Sequence, residues 1–187
     1  MNSSKRNDEG FTGLEAAIVL IAFVVVAAVF SYVVLGAGFF TTQKSQETVY
    51  KGVEQATTNI QMIGNVYGIS SDTSAGINEV RFSIGLAPGA PPVDLGGMKI
   101  IFSTPLTPPQ ILQWGAARST STFTSKLNGG GASTATMTSQ QQMEIDFSVN
   151  AVPKNVQMNI EMRPAVGASL PFSKTAPPAI QATNVLY

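Results

Sequence analysis

The chain has 187 residues, 11 Lys+Arg against 11 Asp+Glu, no His and no Cys. Without Cys there are no disulfides, thiolate metal sites or cysteine nucleophiles, and without His there are no Ser-His-Asp triads, HExxH zinc helices or ordinary neutral-pH proton shuttles. Zero net charge, with no basic run longer than Lys5-Arg6, argues against nucleic-acid binding.

The amino-terminal segment MNSSKRNDEG is polar and ends at Gly10. Phe11-Thr12-Gly13-Leu14-Glu15 follows, with a carboxylate just inside an apolar boundary. From Ala16 to Phe40 the chain reads AAIVLIAFVVVAAVFSYVVLGAGFF, with no charge at all. As a helix this run spans roughly 37 Å, more than the ~30 Å of a hydrocarbon core. Each large aliphatic or aromatic side chain gains roughly 1.5–3 kcal/mol on burial, so the run represents tens of kcal/mol, against ~5–15 kcal/mol for a whole domain. It is apolar on every face, which argues against an ordinary core helix. It is too long for the apolar region of a secretory signal peptide. A bilayer or copies of the same chain are the surroundings it requires.

Small residues permit close helix approach: Gly13 and Ala17 are four apart, followed by Ala22, Ala27, Ala28 and Gly36. Val25, Phe30 and Phe39 are expected to pack against neighbouring helices. Glu15 has two readings. It sits at a water interface near a helix N-terminus, where the dipole favours it, or it neutralises an α-ammonium created at Phe11 by a cut after Gly10.

These residues resemble a known family. GFTGLEAAIVLIAFVVVAAVFSYVVLGAGFFTTQKSQETVYKG is similar to the amino-terminal region of archaellins, the archaeal flagellins. The polar leader, Gly10 before the cut and Glu15 at the fifth mature position resemble type IV pilin-like, class III signals. The resemblance implies a leader over 1–10 removed by a prepilin-type peptidase between Gly10 and Phe11. It also implies a membrane-inserted precursor and an extracellular homo-oligomeric filament, built by the archaellum motor and assembly machinery.

Beyond Phe40 the helical pattern continues with a new face. Val49, Val53, Ala56, Ile60, Ile63 and Tyr67 recur at intervals of three and four, and Glu47 and Lys51 form a helix-supporting i,i+4 pair. The spacing predicts a helix over 11–67, its distal stripe packed on the outer domain, with Gly64, Gly68 and Ser70-Ser71-Asp72 as the stop.

Over 68–187 the period changes to two. Val80, Phe82, Ile84 and Leu86 alternate, as do Met98, Ile100 and Phe102. Met143, Ile145, Phe147 and Val149 do so, then Val156, Met158, Ile160 and Met162, with Asn150–Asn155 as the connection. All 11 prolines lie at or after Pro88 and mark loops or edges. Seven or eight short strands suggest an immunoglobulin-like β-sandwich or a barrel. The whole is an α+β chain: a long hydrophobic helix followed by an all-β outer domain.

Ser119–Ser139, STSTFTSKLNGGGASTATMTS, reads as two Thr-rich arms around a tip at Gly129-Gly130-Gly131, either an ordinary hairpin or an O-glycosylated filament-surface loop. Glu144 and Asp146 share a strand face and read as solvated. Asp72 and Asp94 read as turn residues and Trp114 as a core or interface anchor. No catalytic, cofactor or metal site emerges. The expected function is a structural subunit of the archaellum filament for swimming. An adhesive pilus subunit and a single-span surface protein that never polymerises are the alternatives.

Overall fold

The computed structural model describes residues 4–127 and 130–187, with residues 4–12 given by backbone alone. Helix α1 runs over Ser4–Thr57. Strands follow at Ile60–Ile69 (β1), Ile77–Leu86 (β2), Val93–Asp94 (β3), Lys99–Thr104 (β4), Thr107–Trp114 (β5) and Thr122–Leu127 (β6). The remainder are Thr136–Met137 (β7), Gln142–Val152 (β8), Gln157–Arg163 (β9), Leu170–Thr175 (β10) and Thr183–Leu186 (β11). Two units divide the chain, Met1–Tyr50 and Lys51–Tyr187.

The helix ends earlier than its spacing predicts. Thr57 and Thr58 turn their hydroxyls back onto the carbonyls of Val53 and Glu54, at 2.8 and 2.7 Å, and the next residues enter the sheet. Ile60–Ile69 is a strand, not helix. It imitates a helical repeat because its apolar residues divide between the two faces of the strand: Ile60 is buried, whereas Ile63 and Tyr67 are exposed. A bulge with Gly64 at φ 76° lies between Ile63 and Tyr67, where four residue steps on β1 pass two on β2, so the in-out alternation resumes in phase. The expected stripe does not bury either: Val49 and Val53 are exposed, and of the six residues only Ile60 belongs to the core.

Among the described residues, nine strands form one sheet in the order β10-β9-β4-β5-β6-β8-β2-β1-β11. Every pairing in it is antiparallel except β5 with β6. The sheet rolls until its two ends meet, where Thr175 and Tyr187 exchange backbone hydrogen bonds of 2.6 and 3.4 Å. The result is a single nearly closed barrel rather than two sheets. β3 and β7 make a separate two-stranded ladder.

The alternating positions read from the sequence line the barrel interior. Val80, Phe82, Ile84, Met98, Ile100, Phe102, Met143, Ile145, Phe147, Met158, Ile160 and Met162 are all buried. Phe147 meets Phe82 and Phe102 edge-on at 6.4 and 5.9 Å, and Phe82 on β2 meets Phe172 on β10 at 5.4 Å. Such edge-to-face geometry suits the ring quadrupoles. β8 and β9, consecutive in sequence, do not pair. β8 lies between β6 and β2, and β9 between β10 and β4.

The proline-rich stretches fall where a missing N–H does least harm. Pro108 and Pro109 lie in β5 ahead of its short pairing with β6, and Pro171 lies in β10, a terminal strand of the sheet order. The Ser119–Ser139 stretch supplies β6 and β7; its second arm returns along β6 through Thr134, whose N–H donates to the Ser125 carbonyl at 2.8 Å. Asn128 and Gly129, in the expected tip, lie outside the described residues.

Candidate assembly surface

Every described side chain from residue 13 to 57 is exposed. Gly13–Thr57, with a mean hydropathy of 3.0 in its most apolar window, is long and apolar enough to cross a membrane by length and composition. Leu20, Phe23, Val26, Phe30 and Phe39 each expose more than six-tenths of their area, a degree that a finished surface rarely presents so continuously.

The surface has relief. Phe30, Val34, Gly38 and Thr42 follow one another at four-residue intervals, with Ser31, Leu35 and Phe39 as the adjoining row, and together they line a groove. A second groove is lined by Val25, Val26, Val29, Phe30 and Val33. Rows spaced by four are the ridges that interlock when helices pack. The hydroxyls of Thr41 and Thr42 donate to the carbonyls of Ala37 and Gly38 at 2.8 and 2.9 Å, which hides their polarity from a neighbour.

The glycines are informative because no contact among the described residues calls for them. Among the described residues, a side-chain carbon placed on Gly13, Gly36, Gly38 or Gly52 would have no other atom within 4 Å outside the adjoining helix backbone. Glycine inside a helix is worse than alanine by about 1 kcal/mol. Four such positions in one helix, without an internal reason, suit close approach by something outside the chain.

Of the residues singled out from sequence, Val25 and Phe30 share the second groove, and Phe30 and Phe39 share the first. Gly13 and Ala17 are exposed at i,i+4 on one helix face. Gly36 is exposed but lines neither groove. Glu15 is exposed within the helix. Residues 1–3 of the expected leader lie outside the described residues, and the backbone of residues 4–12, Gly10 and Phe11 included, is helical. Gly38, Val34 and Leu35 are not among the residues singled out from sequence. Their four-residue spacing from Phe30 and Ser31 was the available signal.

The outer face of the sheet carries a charged network that also departs from expectation. Asp146 is buried, not solvated, with 1% of its area exposed. It accepts a hydrogen bond from the Thr124 hydroxyl at 2.5 Å, and Arg118, Lys126 and Arg81 approach it to 3.4, 3.7 and 3.9 Å. Arg81 and Arg118 also reach Glu79 at 2.8 and 3.0 Å, and Glu144 lies 3.5 Å from Arg81. Burial alone works to lower the Arg81 pKa. The hydrogen bond to Glu79 and the charges of Glu144, Glu79 and Asp146 outweigh it and leave the guanidinium above its ordinary value. Three carboxylates and three cations thus cancel.

Elsewhere Asp72 and Asp94 cap turns, accepting from the backbone N–H groups of Ser74 and Gly96 at 2.9 and 2.8 Å. Trp114 packs against the core and donates its indole N–H to Ser125 at 2.8 Å. Among the described residues no cluster of three or more acidic side chains is placed to hold a metal ion.

Comparison with known proteins agrees with this arrangement. The archaeal-type flagellin family model matches residues 10–174. A probable flagellin 1 of Archaeoglobus fulgidus is 38% identical, over 97% of this chain and 96% of that one. The archaeal flagellum of Methanospirillum hungatei superposes with a TM-score of 0.75 at 31% identity, covering 94% of this chain and 99% of that one. The archaeal flagellin FlaB1 of Methanocaldococcus jannaschii shares the fold, with a TM-score of 0.59 at 16% identity over 69% of this chain and 96% of that one. The chain belongs to the archaeal-type flagellin family, as a filament subunit of the archaeal flagellum.

Proposed function

We propose that this subunit is made as a membrane-held precursor, is cut between Gly10 and Phe11 by a prepilin-type peptidase, and then polymerises through its apolar helix into the core of an extracellular filament turned for swimming. The observation that carries the reading is the exposed apolar helix surface from Gly13 to Phe40, whose glycines serve no contact within the chain. Lipid satisfies that surface before assembly and copies of the same helix satisfy it afterwards. Phe30, Val34, Gly38 and Phe39 supply one packing groove, Val25 and Val29 part of another, and Gly13, Ala17 and Gly36 supply close-approach positions.

Cleavage gives Phe11 an α-ammonium four residues from Glu15. That charge pairs with the Glu15 carboxylate of its own chain or of a neighbour, which removes a lone anion from apolar surroundings. The protein acts mechanically, by packing and stiffness, with no reaction to perform. The motor and assembly machinery are its other partners.

Intact mass of filaments sheared from cells tests this reading. A subunit beginning at Phe11, with loss of swimming on gene deletion, is the expected result. An uncleaved Met1 start in the filaments overturns the processing step. Retained swimming with lost attachment would assign the filament to adhesion instead.

A further inference from the structure

The barrel carries two outward apolar patches. On β4 and β5, Ile101 and Ile111 stand directly opposite each other in register, with exposed Leu106 in the turn that joins the two strands. Their chain neighbours Ile100, Phe102 and Leu112 fill the core, so this pair faces outward. On β1 and β11, Tyr67 and Val185 form a second opposed pair, with exposed Tyr187 two residues further along. Val66 and Leu186 beside them are buried, so this pair faces outward too.

The strand order separates the patches. Between them on one side lie β6, β8 and β2, whose outer face bears the self-neutralised network around Asp146. On the other side lie β9 and β10, whose outer face is polar, with Ser173 bonded to Asn159 at 2.8 Å and Arg163 to Glu161 at 2.8 and 3.0 Å. The two apolar patches therefore look in roughly opposite directions, with charge-paired polar sectors between them. One patch is aliphatic. The other presents two tyrosine rings, a residue type favoured at interface centres.

We infer that the Ile101–Ile111 patch of one copy docks on the Tyr67–Val185–Tyr187 patch of the next, a head-to-tail contact between barrels in addition to helix packing. The inference rests on the reading of the chain as a filament subunit, which makes a second copy the occupant. A contact between two different patches is heterologous, and where its rotation does not close into a ring it propagates as a helix. The ion pairs between the patches already satisfy one another, so barrels come together without an unpaired charge being trapped.

The chain contains no cysteine, so cross-linking reads this contact directly. Filaments carrying both Ile111→Cys and Val185→Cys, treated with a short bismaleimide and denatured, are expected to give a ladder of covalent multimers. Either single variant is expected to stay monomeric. A dimer band from a single variant, or monomer alone from the double variant in intact filaments, overturns the inference.

Charge substitution provides a second arm. Ile111→Asp and Val185→Lys are each expected to cut filament yield at least about fivefold without shifting the barrel's melting temperature, and together to restore most of it. Unchanged yield in both single variants also overturns the inference. Failure of the unaltered chain to enter filaments at all would count against the subunit reading rather than against this pairing.

Discussion

Gly38→Leu separates what the helix needs from what its neighbours need. Within the chain the substitution is harmless: a side chain at position 38 meets open space. Removing a glycine from a helix interior should stabilise that helix by about 1 kcal/mol. In the filament the same side chain fills the groove between Phe30, Val34, Leu35 and Phe39 that a neighbour is proposed to occupy. Overpacking a close-packed contact costs about 1–3 kcal/mol. With 1.4 kcal/mol for each factor of ten, subunit association weakens roughly 5- to 150-fold.

Two measurements with opposite signs follow. Circular dichroism of the full chain in detergent micelles should show helix content maintained or raised. The ratio of sheared-filament subunit to membrane-held subunit should fall at least fivefold. Gly38→Ala should fall between the wild type and the leucine variant. Wild-type filament yield from Gly38→Leu would refute the argument, because it would mean that no neighbour approaches that face of the helix.

Two further substitutions probe the barrel. Asp146→Ala leaves Arg81, Arg118 and Lys126 facing each other with only Glu79 and Glu144 to balance them. Breaking a buried ion pair costs about 3–5 kcal/mol, and the one-third or greater exposure of these cations reduces that to about 2–3 kcal/mol. Urea unfolding of the full chain in detergent should show the loss, and a change below ~1 kcal/mol would mean that the cations rehydrate freely. Gly167→Ala should destabilise by at least about 2 kcal/mol, because φ there is 110° and a Cβ would overlap the Thr58 carbonyl oxygen. An unchanged melting temperature would show that the loop shifts to make room.

The sequence disclosed the parts of this protein that depend on local pattern. A run without charge from Ala16 to Phe40 has few possible surroundings, so the helix and its need for an external partner were legible at once. The strands β2, β4, β8 and β9 were legible because each keeps strict alternation over its core positions. β1 was not, because its apolar residues divide between the two faces, Ile60 inward and Ile63 and Tyr67 outward, which spaces them by three and four. The burial of Asp146 was not legible either. The groups that surround it include Thr124 and Arg118, 22 and 28 residues away in sequence, the latter in the loop before β6. Ile101 and Ile111 lay inside the apolar runs KIIF and ILQW, where adjacent inward and outward residues look alike. Facing can be read there only from the register.

The meeting of Thr175 with Tyr187 has a consequence for how a filament avoids tangling. Subunits held side by side reach local concentrations where exposed strand edges would act as templates for uncontrolled pairing. Here the first and last strands of the sheet are drawn onto each other at that point. Pro171 on β10 and Pro108 and Pro109 on β5 remove donors from the stretches left less protected. The barrel thus arrives with little main chain to offer. Side-chain surfaces are what it leaves for contact with a neighbour.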